Sequence, residues 1–460
     1  MIGLVVSRAD DASVAIGEQL RSLAEWDERT DPTGSDAEVH YRHGDFELRT
    51  FEDWHLELDG VAVEFSEPPA FVAFLSRHAG DTGPLLTAHF TGNFGPAEYG
   101  GKPGELARAC PNVQRAVVAA FDRHAPEGYD VGVECTHHGP SDVGAPSLFV
   151  ELGSSESEWN DPAGARAVAQ SVLELSGVEP DAGADGGGRD TIAPDAPEAR
   201  RHVVGFGGGH YAPEFERIVR ETDWRVGHVA ADWVLGAMGA PEANADLIER
   251  AFEQSAASRA LLVGDNPELA AVVEDLGHRV VDETFLRATS GVDLALVAAL
   301  EDALGPVDDG LRFGTPAEGA GADALDEFEV VSLPTDLLAE ASGIDQEATL
   351  AVLRDRVLAF ETVEGGTKPR GRAAVTDAAA LDGVVDALAD VLATKYDEVV
   401  RESAAIVATR ETFDPAAAAE AGVPEGPAFG RLAGGDAVDV DGRTVTPEEV
   451  SVEETVRFPV

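Results

Sequence analysis

Four histidines of this 460-residue chain stand where short β-branched runs give way to glycine. Imidazole is the side chain best poised near neutral pH to act as a base or a metal ligand. They are His89 in His89-Phe90-Thr91-Gly92-Asn93, His137 and His138 in Glu134-Cys135-Thr136-His137-His138-Gly139-Pro140, and His210 in Gly205-Phe206-Gly207-Gly208-Gly209-His210-Tyr211. In open α/β sheets ligands bind at the carboxyl ends of strands, where glycine lets the backbone approach closely. One strand-end histidine is readily explained as a polar group satisfying a buried carbonyl. Four of them at three strand ends point instead to one cleft. Strand alternation puts Cys135 and His137 on one face and Glu134 and His138 on the other, unless the turn at Gly139-Pro140 bends the chain first. The two adjacent histidines therefore need not play the same part, and one can enter the cleft as general base or metal ligand while the other packs or orients.

The run Gly205 to Gly209 resembles an anion loop, and the N–H groups of Gly207, Gly208 and Gly209 are candidates to hold a carboxylate, a phosphate or a developing oxyanion. Position 210 is His where a dinucleotide fingerprint needs Gly, and no GKS or GKT follows, so nucleotide-cofactor and P-loop readings lose support. GxSxG, HExxH and HxHxD are absent too, which removes the commonest serine and zinc hydrolase templates. Lys102, within Gly100-Gly101-Lys102-Pro103-Gly104, is the first lysine of a chain that has only two more, Lys368 and Lys395. A lone ammonium on a glycine loop suggests contact with an anionic ligand. Thr91 and Asn93, in the turn after His89, complete the candidate substrate contacts.

The elements that must position these residues are short apolar runs alternating with helical patterns from Met1 to about residue 290, which predicts α/β layers. Nine runs read as strands: 2–6, 46–51, 61–65, 85–90, 129–136, 148–153, 202–206, 225–229 and 260–264. They predict a large mixed sheet flanked by helices. Leu106, Cys110, Val113, Val117 and Phe121 recur at helical spacing from a start near Pro103, with a kink or restart at Pro111. A Gly, Asp and Pro rich stretch at 177–197 reads as an acidic insertion within one continuous fold. Beyond it, an α/β domain at 1–298 is expected to give way to a small α+β domain at 299–460, with a strand near Val330 and helical patterns at 348–360 and 378–406.

Against 86 Asp and Glu stand 33 Lys and Arg, a formal net charge of −53, yet 44% of residues are apolar. The chain is a folded protein with an acidic surface, suited to a halophile's cytoplasm where salt screens self-repulsion. Two cysteines, Cys110 and Cys135, exclude a disulfide framework. The start lacks a signal peptide, and no apolar stretch approaches about 18 residues. A cytoplasmic monomer with no membrane or DNA partner is expected.

Several ordered motifs are similar to those of the archaeal and plant type of D-aminoacyl-tRNA deacylase: MIGLVVSRADDAS at the start, LTAHFTGN (86–93), THHGP (136–140), SLFVELGSSESEW (147–159), VGFGGGHYAP (204–213) and ETFLRATSGV (283–292). The resemblance covers nearly all of residues 1–292. It implies a fold akin to peptidyl-tRNA hydrolase and purine-phosphorylase-like proteins, and zinc-dependent hydrolysis of the ester joining a D-amino acid to the 3′ end of tRNA. His137, His138, His89 and His210 are then the expected catalytic centre, with His137, His138, Glu134 and His210 as candidate zinc ligands. Cys135 stands where the family carries a small residue and is not expected to ligate. Peptidyl-tRNA or other carboxylic ester hydrolysis on the same scaffold, and a tRNA-end binding protein without turnover, are the alternatives. At this net charge, binding should rest on the shape and stacking of the 3′ end more than on counterion release. In the tail, Gly422 to Leu432 resembles a segment of metallo-β-lactamase-fold tRNA-processing nucleases, but the nuclease metal motif is missing and a structural turn explains it as well.

Overall fold

The strand Ile2–Ser7 (β1) is buried along its whole length. Such a run of apolar residues forms a strand because both of its faces are covered. The computed structural model describes residues 1–30, 39–183, 196–318, 320 and 328–460, so most of the predicted acidic insertion lies outside the described residues. Seven further strands complete the first sheet: β2 Asp27–Thr30, β3 Val39–His43, β4 Phe46–Phe51, β5 Phe71–Arg77, β6 Leu85–His89, β7 Asp130–Val133 and β8 Ser147–Gly153. Their order is β2-β3-β4-β1-β5-β8-β6-β7. The run β4-β1-β5-β8 is parallel, whereas β6 lies antiparallel to β8 and parallel to β7.

One face is covered by the helices Asp11–Leu23, Pro111–His124 and Pro162–Leu173, which share a core with β1, β5 and β8. Asp10 caps the first helix by accepting from the N–H groups of Ala12 and Ser13. The second helix begins at Pro111, which occupies its first turn, so Leu106 lies outside it; proline starts this helix instead of kinking it. On the other face Val61, Phe65, Val72, Phe74 and Phe149 form a second apolar cluster. Here the expected strand 61–65 is a 3₁₀ turn, Val61–Glu64. Its apolar residues are explained by layer packing and not by strand pairing.

Four strands expected in one large sheet with the others, or missed altogether, form a second sheet: β9 His202–Phe206, β10 Arg225–Ala230, β11 Arg259–Leu262 and β12 Arg279–Val281, all parallel in the order β10-β9-β11-β12. The first two sheets meet through the chain that leaves β7. Glu134 N–H donates to the Ala88 carbonyl, Cys135 N–H to that of His210, and Thr136 N–H to that of Val229. Both sheets belong to one compact unit, Met1–Ser290.

A second unit, Gly291–Val460, contains a four-stranded antiparallel sheet and a three-stranded one, with the helices Thr335–Ile344, Gln346–Arg356 and Ala378–Leu392 in their shared core. The helical patterns expected at 348–360 and 378–406 overrun these helices: Ala359–Val363, Glu398–Glu402 and Ala405–Phe413 are strands. In the tail, Val423 and Leu432 are buried with Ala418, Val438, Val445 and Val450, so the nuclease-like segment forms a helical turn around its own small core. Among the described residues no helix is long and apolar enough to cross a membrane.

Two histidines show how tightly the second sheet is set. His202 Nδ1–H donates to the Ser255 carbonyl while its Nε2 accepts from Ala182 N–H. His228 Nε2–H donates to the Ala107 carbonyl and its Nδ1 accepts from the Thr136 hydroxyl. Burial holds each pKa down, from 6.5 to about 4. A depressed histidine contributes stability that is complete above about pH 6.5 and is lost as pH falls toward 4, because the unfolded chain takes up the proton first. Between pH 7 and pH 5 each should lose about 2 kcal/mol of unfolding free energy. Denaturant titrations in fixed KCl should show this slope, reduced in His202→Gln; equal stability at the two pH values would contradict it.

Candidate functional site

His89 closes β6, and its residue-level neighbour on β8 is Phe149, so Glu151, two positions on, lies on the same face. Glu151 is flanked by Ser76 of β5 and Thr87 of β6 and is 3% exposed. Glu134 arrives from the chain after β7 and is 2% exposed. Between the two carboxylates sits His78, just past the end of β5, with Nδ1 3.2 Å from Glu134 Oε1 and 3.6 Å from Glu151 Oε2. Burial opposes its charge, but the two carboxylates outweigh burial and hold its pKa up at about 10. His78 is therefore an imidazolium locked between two buried anions.

The other oxygens of these carboxylates reach the predicted histidines. Glu134 Oε2 accepts from His210 Nε2 at 2.8 Å and lies 3.9 Å from His137 Nε2. Glu151 Oε1 lies 3.6 Å from His89 Nε2. Burial works against both anions, yet the His210 hydrogen bond and the adjacent His78 ring keep Glu134 well below the usual carboxylate range, and the nearby His78 and His89 rings lower Glu151.

His89, His137 and His138 pack into one cluster, tilted or edge-to-face, with ring centroids 4.3 to 4.8 Å apart. The turn bends the chain at the last of these residues, so alternation does not extend to His138. His138 adopts φ 49°, a left-handed conformation uncommon without glycine, so the chain turns before Gly139 and the two adjacent rings come to the same cluster. Gly139 is required behind them, since a Cβ there would lie 2.3 Å from Gly101 N. Each of the three rings donates Nδ1–H to a backbone carbonyl: His89 to Phe90, His137 to Cys135, His138 to Gly139. That fixes the tautomer and leaves Nε2 as the ligating atom, the usual arrangement of metal-binding histidines.

Among the described residues three groups of side chains bring ligand atoms within 4.8 Å of one another. His89, His137 and His138 fit a metal best. Burial, then the charge on His89, depresses His137 well below its ordinary value and His138 to about 4, so both present neutral lone pairs. Burial opposes the charge on His89, but Glu151 and then Glu134 outweigh it and hold its pKa up, so His89 must release its Nε2 proton to a metal that binds there. His89 Nε2 is a buried nitrogen with no hydrogen-bond partner. The group Cys135, His137 and His210 fits less well, because burial pushes the Cys135 thiol up to about 12 and away from the thiolate. In the third group the His78 ring already lies between the two carboxylates, 3.2 Å from Glu134 and 3.6 Å from Glu151.

The remaining expected contacts divide. His137, His138, His210 and Asn93 line one cavity of about 370 Å³, together with Tyr99 and Trp233. Lys102 borders a different cavity, beside Ser141 and Arg108. Thr91 is fully buried beneath the turn. Gly207 N–H donates to the Ala230 carbonyl, so it does not serve an oxyanion. A Cβ on Gly207 would lie 2.2 Å from the Val263 carbonyl oxygen, which explains that glycine by packing. Gly208 and Gly209 lead to His210, and the Glu214 carboxylate stands 3.3 Å from where a Gly208 Cβ would be, an unfavourable neighbour for a phosphate. His78 and Glu151 are not singled out by the sequence; the available signal is a carboxylate interrupting the apolar run Ser147–Gly153.

A family model described as D-aminoacyl-tRNA deacylase matches residues 65–281, a span containing every histidine and carboxylate of this cluster. A D-aminoacyl-tRNA deacylase of Haloquadratum walsbyi is 50% identical, covering all of this chain and 96% of that protein. One of Natronomonas pharaonis is 53% identical over 98% of each chain. The chain belongs to the D-aminoacyl-tRNA deacylase family. These relatives match over the second unit as well as the first, so both units are part of the deacylase chain. A crystal structure described as a conserved protein of unknown function is 26% identical with a TM-score of 0.53, covering 62% of this chain and 96% of its own.

Titration with Co²⁺ should therefore develop visible absorption without a thiolate charge-transfer band. His89→Ala should weaken Co²⁺ binding by more than about 100-fold, while Cys135→Ala leaves the spectrum as it is. A spectrum lost with Cys135 and kept without His89 would assign the second group instead.

Proposed function

We propose that this deacylase hydrolyses the ester joining a D-amino acid to the 3′-terminal ribose of tRNA, with the reaction at the meeting point of His89, His137, His138 and His210. The observation that carries the reading is the three-imidazole cluster, whose Nδ1–H groups are all committed to backbone carbonyls beside a cavity open to a ligand. We take the metal to be zinc, held by His89, His137 and His138, since neutral imidazole suits it. When bound there, zinc supplies Lewis-acid polarisation of the ester carbonyl and acidifies water.

An aminoacyl ester is already activated, so this chain's own side chains need to position water and take its proton. We assign the base to His210. Glu134 Oε2 accepts its Nε2–H, which leaves the Nδ1 lone pair for a proton, and the ring borders the cavity. That nitrogen faces the Cys135 thiol at 3.6 Å, a weak donor that a water can displace. Glu134 stays ionised beside the ring and stabilises the imidazolium formed as His210 Nδ1 takes the proton from the attacking water. The same imidazolium then returns the proton to the departing ribose oxygen. Glu151 and His78 act at one remove by holding His89 and Glu134 in register. Handedness requires three contacts about the α-carbon, so that the L form either clashes or leaves its ammonium unpaired. The protein acts as a cytoplasmic monomer, on tRNA and neither DNA nor membrane.

In concentrated KCl the protein should release D-Tyr from tRNA and leave L-Tyr-tRNA and N-acetyl-aminoacyl-tRNA intact, and a chelator should abolish turnover. His210→Ala should lower kcat by about 10²- to 10⁴-fold with KM little changed. Equal release of N-acetyl-aminoacyl groups would assign the peptidyl-tRNA reaction; tight tRNA binding with no turnover in the presence of zinc would leave a binding protein.

A further inference from the structure

Among the described residues three large aromatic side chains are exposed, Tyr99 at 68%, Trp233 at 56% and Tyr211 at 37%; the first two line the histidine cavity and the third packs against His210. Exposed aromatics are costly on a protein with no use for them, and the two at the cavity mouth mark a contact surface. Tyr211 is tied into the charge network, its hydroxyl 3.3 Å from His78 Nε2 and its ring edge-on to His210 at 4.9 Å. Tyr99 and Trp233 instead line the cavity that opens beside His137, His138 and His210.

Both are fixed to the segments that carry the histidines. The Tyr99 carbonyl accepts from Gly139 N–H at 2.8 Å, one residue beyond His138, and the next carbonyl, that of Gly100, accepts from Asn93 Nδ2. Trp233 lies in the first turn of the helix Asp232–Met238, where Asp232 N–H bonds the Gly208 carbonyl, and its ring centroid is 6.3 Å from that of His210 at 31°. The carbon wall between them comes from Phe94, Pro96, Val234 and Ala237. Aromatic faces at the rim and acid–base groups within are one rigid piece, so a flat group held at the rim sets how far its attached ester reaches.

We propose that Tyr99 and Trp233 form a stacking clamp for the terminal adenine base of the tRNA 3′ end. The inference rests on the deacylase reading above and adds how that end is held. The base is the flat group directly joined to the ribose that carries the ester, so it must lie at the mouth when the ester lies at the histidines. Charge argues for the same mode: with a net charge of −53 the chain repels phosphates, whereas stacking is indifferent to the sign of the surface and persists in concentrated salt. Side-chain recognition is the competing use of the rim, and comparing D-Tyr with D-Ala substrates separates it from base stacking.

The test titrates the full-length protein against unacylated tRNA labelled at its 5′ end, by fluorescence anisotropy in concentrated KCl, and follows deacylation of D-Tyr-tRNA and D-Ala-tRNA alongside. Trp233→Ala and Tyr99→Ala should each weaken binding about tenfold, Trp233→Phe should recover most of the loss, and KM should rise far more than kcat falls. The loss should be the same for D-Tyr and D-Ala substrates. A penalty confined to D-Tyr-tRNA would assign the rim to the amino-acid side chain and overturn the clamp, as would unchanged tRNA binding in both alanine variants with wild-type thermal melts. If the wild-type protein binds tRNA through these residues yet releases no amino acid, the deacylase reading fails while the clamp stands.

Discussion

Two carboxylates with almost no access to water, Glu134 and Glu151, are the constraint around which this molecule is arranged. Neither would remain ionised in isolation, because burial alone favours the protonated form. His78 between them carries the compensating charge, and His210 and His89 take up the outward oxygens. Removing one partner from such a buried arrangement typically costs about 3–5 kcal/mol, since it strands the others without a counter-charge. The same pairing that makes the interior tolerable also fixes where the reactive rings point.

That arrangement is possible because of one reversal in the sheet. With β8 parallel to β5 on one side and antiparallel to β6 on the other, Glu151 faces His89 and lies next to the end of β5 that carries His78. The chain leaving β7 then bonds in turn to β6, to the His210 carbonyl and to β10. Residues 134–138 thereby join the two sheets, and the histidines they carry inherit the rigidity of both. Backbone glycines serve this junction by permitting contact, as at Gly139 and Gly207.

The surface belongs to a different problem. An excess of carboxylates keeps the protein hydrated in salt but discards the usual electrostatic route to RNA. Recognition must then fall to uncharged contacts near the reacting bond, and the exposed aromatic rings at the cleft have that character.

By itself the sequence determined the α/β class, the strand-end location of His89, His137, His138 and His210, and, through six ordered motifs, the family. These are legible because strand periodicity, glycine turns and imidazole are local properties of the chain. The division into two sheets, the 3₁₀ turn at 61–64 and the strand 71–77 were not legible, since an apolar run looks alike whether it pairs, turns or covers a layer. Nor was His78 visible as the counter-ion, or Glu151 as the partner of His89. Lys102 looked like a ligand contact for its rarity, yet it borders another cavity. Charge compensation and the convergence of side chains depend on distances between segments roughly 60 to 130 residues apart in order of sequence, as His78 is from Glu134 and from His210. Only the packing of the two sheets sets those distances.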